Sequence, residues 1–274
     1  MNNRSSLKTK LISSPYIVWS ILFIVAPLIF VVYYSFTDAS GAFTLANITA
    51  LSKYAPTFLR SIWFGIVATM ICLVIAFPLA YIISQKTEKV QRTLVMLVML
   101  PMWMSFLIRT YSWMALLQDT GIINSFLGKL GIEPVHMINT SGAVILGMVY
   151  NFLPYMIMPI YSVMAKLDYS MVEAAQDLGG NRLTVIRRCI IPMSMPGVVS
   201  GITMVFVPSV STFYISQKLG GGSFDLIGDV IERQFQQSYN YNLGASLSLV
   251  LMVLILICMA VMNRFTGDEE GMVI

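Results

Sequence analysis

Six long apolar runs constrain this chain more than any other feature. They cover residues 15–36, 58–84, 94–117, 142–165, 193–216 and 243–263. Each reaches about 20 residues or more, which is what an α-helix needs to cross a hydrocarbon core roughly 30 Å thick. Inside a bilayer every backbone amide must find its partner within the protein, so only helices and closed barrels can span. Barrel strands are about ten residues long and alternate in polarity. These runs are twice as long and do not alternate, so they predict helices. Composition agrees: 57% of the 274 residues are hydrophobic and 11% are charged, where a soluble domain carries about 25% charged residues. The fold class predicted is an all-α integral membrane protein with six transmembrane helices. The first run has a basic start (Arg4, Lys8, Lys10), but it is longer than a usual signal-peptide core. No small-residue cleavage site precedes "VVYYSF", so an uncleaved helix is expected.

The placement of Lys and Arg gives the direction. With the N-terminus inside, the inner segments hold Arg4, Lys8, Lys10, Lys86, Lys89, Arg92, Lys166, Arg182, Arg187, Arg188 and Arg264. The outer segments hold Lys53, Arg60, Lys129, Lys218 and Arg233. The bias of 11 to 5 puts both termini and the segment 166–192 in the cytoplasm. Other chemistry is excluded by what the chain lacks. Cys72, Cys189 and Cys258 have no paired spacing, and His136 is the single histidine, so no metal site is expected. The net charge of +4 is no nucleic-acid signal. The spans carry no paired Asp, no H-E-x-x-H and no Ser with Lys, which argues against a membrane-embedded enzyme. They also lack the carboxylates that ion-coupled carriers use.

One polar stretch, "SMVEAAQDLGGN" at 170–181, interrupts this apolar chain. Ser170 and Glu173 have capping-box spacing. Met171, Ala174, Ala175 and Leu178 fall on one helical face. Gly179 and Gly180 suit a left-handed helix end. Asn181 can cap a second short helix, "RLTVIRRC", after which Pro192 starts the next span. A helix of about eight residues is marginal alone, so this one requires a partner surface. Two alanines keep its flank thin enough to enter a groove.

"EAAQDLGGNRLTVIRRCIIP" resembles the cytoplasmic loop of ABC-importer permeases, whose pattern is EAA, three residues, Gly, nine residues, then I-x-L-P. Glu173, Ala174, Ala175, Gly179 and Pro192 match, while Cys189 and Ile191 stand where the pattern has Ile and Leu. "LPMWMSFLIRTYSWMALL", "GMVYNFLPYMIMPIYSVM", "FVPSVSTFYISQKLGGGSFDLIGDVIERQF" and "NLGASLSLVLM" resemble the spermidine/putrescine permeases, the first of the two membrane subunits in particular. The resemblance covers roughly residues 15–263. It implies the type I ABC-importer permease fold and a transport subunit rather than an enzyme. The site would be a bacterial cytoplasmic membrane. The implied partners are a second permease, two copies of an ATP-binding subunit and an extracytoplasmic polyamine-binding protein. It also implies that 173–179 form the helix that docks on the ATPase. ATP and Mg would belong to that separate chain: "LGGGSF" at 219–224 lacks the Lys-Ser/Thr of a phosphate-binding loop and reads as a flexible loop. The expected divisions are 1–57 (tail, first helix, external loop), 58–264 (five-helix core with coupling loop 167–192) and 265–274 (cytoplasmic tail).

Several residues are candidates for the solute path. A polycation favours aromatic faces and carbonyls. Trp103, Tyr150, Asn151 and Tyr155 lie deep in spans three and four, beside Pro101 and Pro154, where bent helices surround cavities. Tyr111, Trp113, Tyr161 and Tyr214 add to the set, although Trp and Tyr also gather at any membrane interface. Arg109 is the one charge inside a span. It repels a polyamine, so an inter-helix or inter-subunit contact, a gate, or a head snorkelled to the outer face suits it better. Asp225, Asp229 and Glu232 have i, i+4, i+7 spacing and predict one acidic external helix face, either solvated or serving as a cation-attracting entry or a docking edge for the binding protein. The same fold serving another solute, such as an anion, a sugar or an iron chelate, is the alternative. The acidic run 267–271 reads as solvated tail.

Overall fold

A computed structural model describes residues 15–167, 169–177 and 179–266. Helices α1 (Pro15–Ser35), α2 (Ala55–Ser84), α3 (Glu88–Trp103), α4 (Phe106–Leu117), α5 (Ile122–Lys129), α6 (Ser141–Met164) and α7 (Tyr169–Asp177) follow in order. Helix α8 runs from Arg182–Val185 through a π turn, Ile186–Ile190, into Ile191–Ser211. Helices α9 (Tyr214–Leu219), α10 (Ile227–Gln236) and α11 (Tyr241–Thr266) complete the chain. Among the described residues the only β pairing is one isolated bridge, Thr37 with Phe43. Among the described residues five helices are long and apolar enough to cross a membrane, or six if α3 with Phe106–Lys129, a pair bent by 86°, counts as one span. The basic N-terminal residues and the run 267–271 lie outside the described residues.

Two compact units divide the described chain. Residues 15–55 go with Val230–Val253, and Pro56–Asp229 goes with residues 254–266. This differs from a five-helix core over 58–264, because the outer turns of α11 group with α1. In the first unit the ends of these two helices are tied by side chains. Asn242 Nδ2 donates to the Thr37 carbonyl at 2.7 Å, and Ser246 Oγ donates to the Ser35 carbonyl at 3.1 Å.

The second unit is built on α6 against α8. Gly197 and Gly201, one turn apart, allow the close approach. A β-carbon at 197 would lie 2.8 Å from the Pro159 carbonyl oxygen, and one at 201 would lie 2.7 Å from Met156 Sδ. Between membrane helices there is little hydrophobic drive, so contact of this kind through small residues supplies the attraction. Val144, Met148, Met156, Ile160 and Met164 fill the buried side of α6. Cys72 on α2 lies 3.8 Å from the Val149 carbonyl.

Two of the expected spans differ in detail. The runs 94–117 and 193–216 are not single helices. The first breaks at Met104, which is extended, and Ser105, and the second ends at Ser211 before Thr212 and Phe213. Each break follows a proline by a few residues, Pro101 and Pro208, where a backbone donor is lost and the preceding turn is crowded. Pro192, expected to open a span, instead sits inside a continuous helix. The π turn lets Ile191 N–H bond the Ile186 carbonyl five residues back, opening the turn ahead of the ring. The same device precedes Pro27 in α1, where Ala26 N–H bonds the Ile21 carbonyl.

Candidate coupling loop and solute path

The loop between α6 and α8 has the two capped elements its sequence suggests. Helix α7 ends in a left-handed Gly179 with φ +84°. Gly179 N–H donates to the Gln176 carbonyl at 2.8 Å and Gly180 N–H to the Ala175 carbonyl at 3.1 Å. This paired closure satisfies carbonyls the helix would otherwise leave bare. Asn181 then caps the start of α8: its Oδ1 accepts from Thr184 N at 2.8 Å and from Thr184 Oγ1 at 2.9 Å. The start of α7 differs from expectation. The helix begins at Tyr169, so Ser170 already lies in its first turn; the residue before it, Asp168, is outside the described residues. The faces also differ. Val172 is buried beside Tyr81, Met164, Leu167 and Ile190, with Ala175 half-buried, while Met171, Glu173 and Ala174 face outward. Leu178 lies outside the described residues.

The two broken helices meet. Phe106, at the start of α4, lies 6.0 Å from Tyr214 at the start of α9, centroid to centroid. Tyr111 stands edge-on to Tyr214 at 6.2 Å and 82°. Lys218 Nζ lies 5.5 Å from the Tyr111 ring centre and 5.8 Å from that of Tyr214. Arg109 closes the other side, its guanidinium carbon 5.9 Å from the Phe106 ring. Irregular backbone at membrane depth persists only where protein buries it or where it lines water. Met104, Ser105 and Phe213 are exposed on this chain. Met104 N–H bonds the Pro101 carbonyl, and the Ser105 and Phe213 carbonyls accept from the amides of Arg109 and Gln217. The irregular backbone is thus satisfied in part by the chain, and its exposed side belongs beside a hydrated space or a neighbouring subunit. Helix α10 reaches the break from the other side. A β-carbon at Gly228 would lie 2.5 Å from the Thr212 carbonyl oxygen, so only glycine allows that approach.

The other path candidates do not assemble into one group. Trp103, at the end of α3, is 71% exposed on this chain. Tyr155 is exposed, whereas Tyr150 packs edge-on to Trp113 at 5.3 Å. Asn151 is buried; its Nδ2 donates to the Gly147 carbonyl at 2.9 Å, and its Oδ1 has no partner in this chain. Tyr161 is tied to the loop end of the bundle, donating to Gln91 Oε1 at 2.9 Å. Arg109 is only 8% exposed, which rules out a snorkelled head, and its Nε and Nη1 have no hydrogen-bond partner in this chain.

The acidic external face is corrected by the structure. Asp225 precedes α10, and Asp229 is buried. The Asp229 carboxylate accepts from Leu226 N–H and from Ser216 Oγ, each at 2.8 Å, so it closes the first turn of α10. Ser61 Oγ accepts from Ile227 N–H at 2.7 Å and satisfies the next donor. Glu232 is half-buried further along the helix. The glycines of 219–224 form a turn with Gly221 and Gly222 at positive φ; Asn139 N–H bonds the Leu219 carbonyl at 2.8 Å. Phe106 and Lys218 escaped the sequence reading, because their neighbours are set by helix breaks about a hundred residues apart in the chain.

Residues 73–266 match the family described as binding-protein-dependent transport system inner membrane component. The chain is 38% identical over 227 residues to the spermidine/putrescine transport system permease protein PotB of Escherichia coli K12, covering 79% of this chain and 82% of that one. It is also 38% identical over 234 residues to the protein of the same name from Haemophilus influenzae, covering 81% of each. A bacterial transporter that imports the acidic polysaccharide alginate has a chain of the same fold, with TM-score 0.77, 17% identity and coverage of 97% and 98%. Six apolar crossings, a capped loop before the fifth and a family match over most of the length agree: the chain belongs to the binding-protein-dependent transport system inner membrane components, as a multi-pass permease of the inner membrane.

Proposed function

We propose that this chain is the permease subunit of an ATP-driven importer of polyamines of the spermidine/putrescine kind. It forms half of a translocation path that opens alternately to each side. The likeness to the PotB proteins, at 38% identity over about four-fifths of both chains, carries this reading. The partners are a second permease, two ATP-binding subunits that hold ATP and Mg, and an external binding protein that delivers the solute. Helix α7 presents Met171, Glu173 and Ala174 outward with Val172 as its anchor, and this outward face docks on the ATPase. The rings of Phe106, Tyr111 and Tyr214 suit an alkylammonium, because the negative face of an aromatic ring attracts cations. An anionic solute is the second reading, favoured by the unpaired Nε and Nη1 of Arg109.

Uptake of labelled spermidine by cells that lack this chain and every other polyamine importer tests both parts. The unaltered chain restores uptake. Gly179→Val inserts normally but restores little, because a β-branched residue resists the φ of +84° that closes α7. No uptake with the unaltered chain rejects the polyamine, and a panel of anions then decides the second reading. Full uptake with Gly179→Val rejects the coupling role of this helix end.

A further inference from the structure

The aromatic cluster at the two helix breaks already contains a primary ammonium. Lys218 Nζ lies over both Tyr111 and Tyr214, within the range of about 6 Å in which a ring attracts a cation. The group that reaches these rings is chemically what a polyamine offers at each end: a protonated amine on an alkyl stem. Lys218 stands on α9, one turn beyond Tyr214, so its flexible stem starts on the same helix face as that ring. Tyr111 is 44% exposed, and Tyr214 and Lys218 are half-buried, so a solute can reach the pair. The backbone breaks at Met104–Ser105 and Thr212–Phe213 lie close to the pair in the chain.

We propose that Tyr111 and Tyr214 form an alkylammonium site that Lys218 occupies in the resting permease, as a tethered competitor which an arriving solute ammonium displaces. This rests on the polyamine reading above. A placeholder of this kind serves a transporter in two ways. It keeps a cation on the rings, which already meet edge-on at 6.2 Å, when no solute is present. It also weakens binding, since a site free only part of the time shows its affinity reduced by that fraction. A solute that binds too tightly in mid-path would not leave, and on release the tethered amine returns and helps expel it. Arg109 on the far side of Phe106 stays in place, so the positive charge that moves is the one on Lys218.

Equilibrium dialysis of labelled spermidine against the purified complex of both permeases and the ATPase, with no binding protein present, tests this. The chains compared are the unaltered one, Lys218→Met, Lys218→Arg, and Lys218→Met combined with Tyr214→Leu. Methionine keeps the length and removes the charge, so Lys218→Met binds spermidine roughly fivefold to tenfold more tightly, as for a site otherwise free about a fifth to a tenth of the time. Lys218→Arg stays within about twofold of the unaltered chain, because its cation also stacks on the rings. Adding Tyr214→Leu removes the gain. Unchanged or weaker binding by Lys218→Met overturns the proposal. So does a gain that survives Tyr214→Leu, or the absence of binding by every chain. A failed polyamine reading is distinguished by the cell assay, where even the unaltered chain restores no spermidine uptake.

Discussion

Asp229 shows at the scale of one residue how a buried charge acts here. Its carboxylate is held by the Leu226 amide and the Ser216 hydroxyl, and it sits in the first turn of α10, where the helix dipole favours a negative group. Removing it leaves the buried Leu226 amide without that acceptor, at about 1–3 kcal/mol, while the Ser216 hydroxyl can still donate to the Phe213 carbonyl at 2.8 Å. Asp229→Ala is therefore expected to lower the unfolding temperature of the detergent-solubilised protein by several degrees. Ser216→Ala should cost about 1 kcal/mol or less, since the carboxylate keeps its backbone donor. Melting curves of the two variants check the order, and equal effects would contradict it. The i, i+4, i+7 spacing of Asp225, Asp229 and Glu232 was legible in the sequence, but it could not show that α10 starts at Ile227, which turns Asp229 inward and leaves Asp225 off the helix.

Helix contacts depend on where glycine removes a side chain and on whether a proline is accommodated. Prolines occur inside α2 and α6 without a break, at Pro78, Pro154 and Pro159, and within continuous helices beside the π turns. Only after Pro101 and Pro208 does the helix stop, and there the aromatic cluster stands. Proline content alone thus marks weak points in a helix, while neighbouring elements decide which give way. The α6–α8 contact gives a test at this scale. A methyl at 197 meets the backbone carbonyl of Pro159, which cannot move aside, whereas at 201 the nearest atom is the sulfur of Met156, which can rotate. Gly197→Ala is expected to destabilise by about 1–3 kcal/mol, and Gly201→Ala by less. Thermal unfolding of the two variants in detergent would show it, with the reverse order ruling out this account of the contact.

Across the whole molecule the charge bias and the six crossings fix a sidedness. Ser170 and Ser223 are both exposed, one on α7 and the other on the turn before α10. In a chain whose three cysteines are replaced by alanine, a cysteine at 170 is expected to react with a membrane-impermeant thiol reagent only from the cytoplasmic side. A cysteine at 223 is expected to react only from outside. Labelling intact cells and inverted vesicles measures both, and the opposite pattern would reverse the orientation argued from Lys and Arg.

The apolar runs, the transport family and the punctuation of the coupling loop are all legible in the chain alone. Hydrocarbon thickness sets how long an apolar run must be, and Gly179 and Asn181 act on their own immediate backbone. Those are local demands, readable from neighbours in the chain. Packing between distant segments sets the breaks in spans three and five, the burial of Arg109, and the meeting of Phe106, Tyr111, Tyr214 and Lys218. Each of these depends on which helix lies alongside, because a backbone gap or a buried charge in a membrane is tolerated only when a distant segment or water satisfies it. No spacing within a single run carries that information.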